Sequence, residues 1–142
     1  MRCESISFLL EIIGWKDGKQ MNFCWCTITV NNLEQSVKFY QEILGLRVER
    51  QFSPNPGMEI AFLTDESGME IELIKFADRT VTEEKKGISL GFTVKSLEDA
   101  MAMVKENGIA VIGQPVITPM VKYFFIKDPN GVNLQLVEKV KE

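Results

Sequence analysis

Hydrophobic and polar positions follow the same plan twice along this chain. Apolar and polar residues alternate from about 22 to 30, which is typical of a strand with one buried face. Asn32 then precedes a segment in which apolar residues recur with the period of a helix, and Gly45 stands where that period ends. Three short strand-like segments follow, at about 46–53, 58–64 and 69–75. The first half therefore predicts the order β-α-β-β-β.

The second half repeats this order. A strand is predicted at about 88–94, Ser96 precedes the next helix, and Gly108 ends it. Three further strands are predicted at about 109–113, 121–126 and 132–138. The residues repeat as well, since TVNNLEQS aligns with TVKSLEDA, and a second set aligns at nearly the same spacing: Phe62, Asp65, Gly68 and Leu73 with Phe125, Asp128, Gly131 and Leu136. Because two separate segments match in the same order, we expect an internal duplication and an α+β fold of two tandem βαβββ modules that form a curved mixed sheet around a cleft.

The duplicated unit is predicted to be one domain over residues 22–140. Its repeats are 22–75 and 87–138, joined by a polar linker at 76–86. Residues 1–21 fit this plan poorly and are interpreted as an N-terminal extension or a mis-assigned start; if ordered, their apolar part would pack as a short helix on a neighbouring surface.

Strand alternation predicts which side chains face away from the two helices. One helix can cover only one face of each small sheet, so the other face must meet solvent, a ligand or a second chain. The polar and aromatic side chains on that face are predicted to be Trp25, Thr27, Glu72, Ser89, Asn133 and Gln135, with Phe62, Tyr123 and Phe124 nearby. Such a face can simply be solvated. A tryptophan on an otherwise polar face favours a ligand cleft over an open surface.

Composition removes several classes of function. The chain has 142 residues, a net charge of -4 and 45% hydrophobic residues, which indicates a globular domain without the basic surface of a nucleic-acid-binding protein. Its longest apolar run is broken by Glu11 and is too short to span a membrane. The absence of histidine excludes the usual Ser-His-Asp triad and removes the commonest ligand of transition metals.

Three cysteines do not make a disulfide framework, and this indicates a reducing, cytoplasmic setting. Cys24 and Cys26 are two positions apart in the first predicted strand, so they share one face. A soft-metal pair is conceivable, but a pair of small buried apolar side chains is the favoured interpretation.

Four segments resemble the vicinal oxygen chelate superfamily, which includes glyoxalase I, extradiol dioxygenases, fosfomycin-resistance enzymes and bleomycin-resistance proteins. They are VNNLEQSVKFYQEILGL, IELI, SLGFTVKSLEDA and FFIKDPNGVNLQLVE, spread over about residues 22–139. The resemblance implies two βαβββ modules that form a cleft, often in a homodimer. In metal-dependent members, the first and last strands of each module supply metal ligands, typically His and Glu. Those positions are Trp25, Glu72, Ser89 and Gln135 here, so only Glu72 keeps an ionisable ligand and we expect no metal cofactor.

The favoured hypothesis is a metal-independent protein that binds a small molecule, such as a drug or metabolite that it sequesters. Aromatic side chains would stack on the ligand, and Glu72 and Gln135 would bind its polar groups. The alternative is a glyoxalase-like lyase or isomerase in which Glu72 acts as general base. A second alternative is a non-catalytic domain for assembly or regulation. The segment 112–123 is expected to be a plain connector or a lid over the cleft.

Overall fold

Eight strands and two helices follow one another in the computed structural model, which describes residues 21–81 and 87–140. The first module contains β1 (Trp25–Thr29), α1 (Leu33–Glu42), β2 (Arg47–Asn55), β3 (Met58–Thr64) and β4 (Glu70–Phe76). The second contains β5 (Ser89–Thr93), α2 (Leu97–Glu106), β6 (Ile112–Ile117), β7 (Val121–Lys127) and β8 (Asn133–Lys139). The suggested N-terminal helix and the middle of the linker lie outside the described residues.

The two modules share one topology. Each forms a four-stranded sheet, with the strand orders β1-β4-β3-β2 and β5-β8-β7-β6. In each sheet the first and last strands of the module are parallel, and the remaining neighbours are antiparallel. The α+β class and the tandem βαβββ modules are confirmed.

Both helices begin where the sequence predicts. The Asn32 side-chain oxygen accepts a hydrogen bond from the Gln35 amide at 2.8 Å, and the Ser96 hydroxyl accepts one from the Asp99 amide at 3.1 Å. Each bond satisfies one of the amides that the first turn of a helix leaves unpaired. No helix in the described ranges is long and apolar enough to cross a bilayer.

The segment 112–123 is neither a lid nor an irregular connector. Its first part is β6, which starts later than the predicted strand at 109–113 and ends at a turn. Pro115 is tolerated there because β6 is the edge strand of its sheet, where a missing N–H need not cost a ladder hydrogen bond. Thr118 closes the turn by accepting hydrogen bonds from the amides of Met120 and Val121.

The apolar face of each sheet contributes to one core shared by both modules. The largest fully buried side chains in that core include Tyr40, Leu63 and Leu73 from the first module and Phe124, Leu134 and Leu136 from the second. The prediction that Phe124 faces the ligand is therefore wrong. Phe124 pairs in register with Leu136, so the two side chains lie on the same, core-facing side of the sheet.

The two cysteines of the first strand do not form a buried pair. Cys24 precedes β1 and is exposed, whereas Cys26 packs partly buried against the core. Burial raises the pKa of the Cys26 thiol. The predicted pair was wrong for Cys24 because β1 begins at Trp25, about three residues after the start that the alternation suggested.

Buried polar side chains join the modules, and we call them the inter-module network: Ser36, Tyr40, Asp128 and Asn130. The Tyr40 hydroxyl donates to Asp128 Oδ2 at 2.8 Å, and Asn130 Nδ2 donates to Ser36 Oγ at 3.0 Å. All four residues are at least 95% buried, since their exposed fractions are 0%, 0%, 5% and 2%. Burial and the Asp128 charge raise the pKa of Tyr40 far above its usual range, so Tyr40 stays a neutral donor. The network holds α1 of the first module against the β7–β8 turn of the second.

Candidate functional site

Trp25, Thr27 and Glu72 lie together on the first sheet, on the face turned away from the shared core; we call them the first half-site. Thr27 pairs in register with Glu72 across β1 and β4, and its hydroxyl donates to Glu72 Oε1 at 2.6 Å. Trp25 precedes Thr27 by two positions on the same face, and 40% of its surface is exposed. The predicted grouping of these three side chains is therefore what the structure shows.

Aromatic rings extend this face from Trp25 toward β2. Trp25 meets the Phe62 ring edge-on at a centroid distance of 5.0 Å, and Phe52 lies nearly parallel to Phe62 at 6.4 Å. Arg50 Cζ stands 3.9 Å from the centroid of Phe62, and its Nη1 lies 3.0 Å from Glu70 Oε2. Sequence reasoning missed Arg50 and Phe52, because a register shift between Val48 and Arg50 breaks the alternation on β2.

This face also carries an apolar cluster of its own. Ile60, Phe62 and Ile74 are buried together, with Met58 and Phe76 packed against them. A merely solvated sheet face would alternate apolar residues inward and polar residues outward. Here the three apolar side chains are 4–7% exposed, so the outer face of the first sheet carries a packed apolar layer beneath its exposed side chains.

Ser89, Asn133 and Gln135 lie on the corresponding face of the second sheet; we call them the second half-site. Ser89 pairs in register with Asn133, and Gly91 pairs with Gln135. A Cβ atom on Gly91 would lie 3.7 Å from Gln135 Oε1, so the Gln135 side chain extends across the backbone of β5.

The aromatic neighbours of the second half-site are Tyr123 and Phe125. Tyr123 pairs in register with Val137 and Phe125 with Gln135, which places both rings on the outer face. Their centroids lie 5.8 Å apart in an edge-on contact. Phe125 thus takes the place predicted for Phe124. The alignment of Phe125 with Phe62 across the internal repeat was the signal that could have found it.

The two half-sites lie on different sheets of the chain. Each is on the face turned away from the core that the modules share. A groove of about 820 Å³ lies between the modules, with β5 on one side and first-module residues such as Cys26, Leu46 and Glu70 on the other. Its lining includes Ser89 but not Trp25, Glu72 or Gln135. This groove therefore does not join the first half-site to Gln135.

The donor atoms at the four aligned ligand positions do not fit a divalent metal ion. They are one carboxylate (Glu72), one amide (Gln135), one hydroxyl (Ser89) and one indole (Trp25), whereas catalytic zinc has about three strong protein ligands. Over the described ranges, no group of three or more Cys, Asp and Glu side chains is placed to hold a metal ion. The two half-sites instead offer aromatic rings, one carboxylate and neutral hydrogen-bonding groups.

The sequence profile described as Glyoxalase/Bleomycin resistance protein/Dioxygenase superfamily matches residues 22–136. The chain belongs to this superfamily. The resemblance drawn from the four sequence segments is confirmed.

Individual relatives agree with this assignment. The chain is 31% identical over 121 residues to a lactoylglutathione lyase of Haemophilus influenzae, covering 78% of this chain and 87% of that protein. A glyoxalase family protein of Bacillus cereus has a similar structure, with a TM-score of 0.75, 18% identity, and coverage of 89% of this chain and 99% of that one. A fosfomycin resistance protein of Listeria monocytogenes has a TM-score of 0.68 at 14% identity, covering 85% of this chain and 95% of that one. The two structural comparisons show the fold alone.

Proposed function

We propose that this member of the superfamily binds a small molecule between the two half-sites without a metal ion. The observation that carries the proposal is the exposed Trp25 ring on the same face as the Glu72 carboxylate, the one ionisable group at the four aligned metal-ligand positions. Trp25 and Phe125 offer ring surfaces for stacking, and Glu72, Gln135 and Asn133 offer hydrogen-bonding groups. Binding alone is enough to sequester a drug or a metabolite, so this function does not need the ion.

We expect ligands of this cleft to change the environment of Trp25 whether or not a metal chelator is present. A Trp15→Phe variant keeps Trp25 as its only tryptophan, so its fluorescence reports on the first half-site. Titration with a chemically diverse set of small molecules should shift or quench that emission, equally with and without EDTA. Equilibrium dialysis against Zn²⁺ should leave less than one tightly bound ion per chain. A flat response across the set, or a retained ion that binding requires, would contradict the proposal.

We also infer that a second copy of the chain completes the cleft. The half-sites face away from the core of one chain, and β1 and β5 are both edge strands with one side open for pairing. A two-fold dimer that places the first half-site of one chain against the second half-site of its partner would form two equivalent clefts.

Mixing two variants that each fail to bind ligand tests whether the cleft spans two chains. Trp25→Ala/Glu72→Gln removes the first half-site, and Gln135→Ala with Phe125→Ala removes the second. If the cleft spans two chains, unfolding and refolding an equal mixture makes heterodimers in which one cleft is intact, restoring about a quarter of all clefts. If each chain holds a complete cleft, the mixture binds no more ligand than either variant alone. Light scattering should first show a dimer for the unaltered chain.

A glyoxalase-like lyase is the second candidate, supported by the Haemophilus influenzae relative. Glu72 would take a proton from the carbon next to a carbonyl group and return it to the adjacent carbon, while Ser89 or Gln135 donates to the negatively charged oxygen that forms meanwhile. Neutral donors stabilise that oxygen less than a metal ion does. Lactoylglutathione lyase activity that Glu72→Gln abolishes, with unchanged folding, would favour this candidate over a binding protein.

A further inference from the structure

Within the cleft proposed above, we propose that the first half-site takes a ligand with a positively charged nitrogen, a protonated amine or a quaternary ammonium, attached to a flat apolar body. This inference rests on the proposed function, because it names the class of ligand for the same site. Three features of the first sheet support it: its charge balance, the packing of Arg50, and the relation between Trp25 and Glu72.

The carboxylates on this side of the first sheet are not equally neutralised. Arg47 lies 3.7 Å from Glu49, and Arg50 lies 3.0 Å from Glu70. Glu72 has no ion-pair partner in the part of the chain that the structure describes, and the hydrogen bond from Thr27 occupies its Oε1. Its negative charge is therefore available to a ligand, with Oε2 as the acceptor.

The protein already binds one of its own cations on this face by the same combination of groups. The Arg50 guanidinium lies over the Phe62 ring at 3.9 Å and pairs with Glu70 at its edge. A ring face attracts the cation through its negative potential, and the carboxylate adds an ion pair. The Phe62 ring and the Glu70 carboxylate thus both contact the Arg50 guanidinium, whose positive charge is delocalised over its nitrogen atoms.

Trp25 supplies a second aromatic ring and Glu72 a second carboxylate on the same face as the Arg50 contacts. Trp25 meets Phe62 edge-on, and Glu72 pairs in register with Phe62 across β3 and β4. Tryptophan attracts cations more strongly than the other aromatic residues. A cation against Trp25 and Glu72 would thus be stabilised as Arg50 is by Phe62 and Glu70, whereas an anion would be repelled by the Glu72 carboxylate.

Three fragments of similar size and different charge test the inference: 2-phenylethylammonium, 2-phenylethanol and 3-phenylpropanoate. Each is titrated at pH 7 into the full-length Trp15→Phe chain, and the Trp25 indole N–H resonance is followed by NMR. We expect the cation to bind about tenfold more tightly than the alcohol, and the anion to bind most weakly. Glu72→Gln should remove most of the preference for the cation, because the amide keeps the shape and the Thr27 hydrogen bond but not the charge.

Glu59→Gln is the matched control. Glu59 lies on the same sheet between Met58 and Ile60, whose side chains form the outer cluster, so its own side chain points to the opposite face. This variant changes the net charge equally and should keep the preference for the cation. Equal affinity for cation and alcohol, preference for the anion, or an undiminished preference in Glu72→Gln would overturn the inference while leaving the binding function in place. If no fragment moves the Trp25 resonance, both the inference and the proposed function fail.

Discussion

Asp128→Ala is expected to lower the free energy of unfolding by about 3 kcal/mol or more, because it leaves several buried donors without their acceptor. Asp128 Oδ1 accepts hydrogen bonds from the amides of Asn130 and Val132, each at 2.8 Å. Its Oδ2 accepts from Tyr40 at 2.8 Å and from Asn130 Nδ2 at 3.3 Å. Only 5% of the Asp128 surface is exposed, so water can do little to replace these bonds. Urea denaturation at one fixed protein concentration measures the effect.

The internal repeat provides the control for this substitution. Asp65 stands at the equivalent position of the first module, where its Oδ1 accepts from the amides of Ser67 and Met69 at 2.9 and 3.2 Å. The hydrogen bond from the Ser67 hydroxyl is the largest cause that lowers the pKa of Asp65. This turn is much more exposed, so Asp65→Ala should cost about 1 kcal/mol or less. Equal losses for the two variants would mean that the inter-module network does not hold the modules together.

Tyr40→Phe separates the contribution of the hydroxyl from that of the turn. It removes the bond to Asp128 and leaves both amide bonds of the turn intact, so we expect a loss of about 1–3 kcal/mol. In the Asp128→Ala background the same substitution should cost much less, since the hydroxyl no longer has its carboxylate partner.

Phe124→Ala is expected to cost about 3–5 kcal/mol, whereas Phe125→Ala should cost about 1 kcal/mol. Phe124 has 0% of its surface exposed and belongs to the shared core, so its removal leaves a cavity. Phe125 lies on the outer face beside Gln135 and is only partly buried. Thermal and urea unfolding of the two variants measure the difference.

The same pair distinguishes stability from ligand binding. Under the proposed function, Phe125→Ala should weaken ligand binding at temperatures where the variant is fully folded, and Phe124→Ala should not do so beyond its loss of folded protein. Weaker binding in folded Phe124→Ala with normal binding in Phe125→Ala would contradict the assignment of faces on β7.

Local pattern was enough to assign most of the candidate site residues to the correct face of their sheet, because strand alternation is a property of neighbouring residues. It placed Thr27 and Glu72 on one face, and the register confirms that they are opposite each other. It placed Phe124 wrongly because β7 has three aromatic residues in succession, Tyr123, Phe124 and Phe125, so the hydrophobic pattern does not show which are inward. Only pairing with β8 fixes that choice.

Arg50 and Phe52 illustrate a different limit. The register shift on β2 inserts an extra residue, and everything after it changes face relative to simple alternation. A bulge depends on how the neighbouring strand is paired, and no local sequence motif predicted the bulge on β2. Arg50 bears on the proposed ligand class, since its contacts with Phe62 and Glu70 are the basis of that inference.

Residue types and short spacings alone predicted the duplication, the two βαβββ modules and the helix caps, and they showed which residue types occupy the four aligned ligand positions. These features depend on residue types and on spacings within a single element or repeat, which a chain carries before it folds. Tertiary structure decided that Asp128 and Asn130 of the DPNG turn are buried against Ser36 and Tyr40, while the equivalent Asp65 is more exposed. It also decided that the two half-sites face away from a common core. Such outcomes depend on how one module packs against the other, and two turns with the same pattern of Asp and Gly can meet different surroundings when the chain folds.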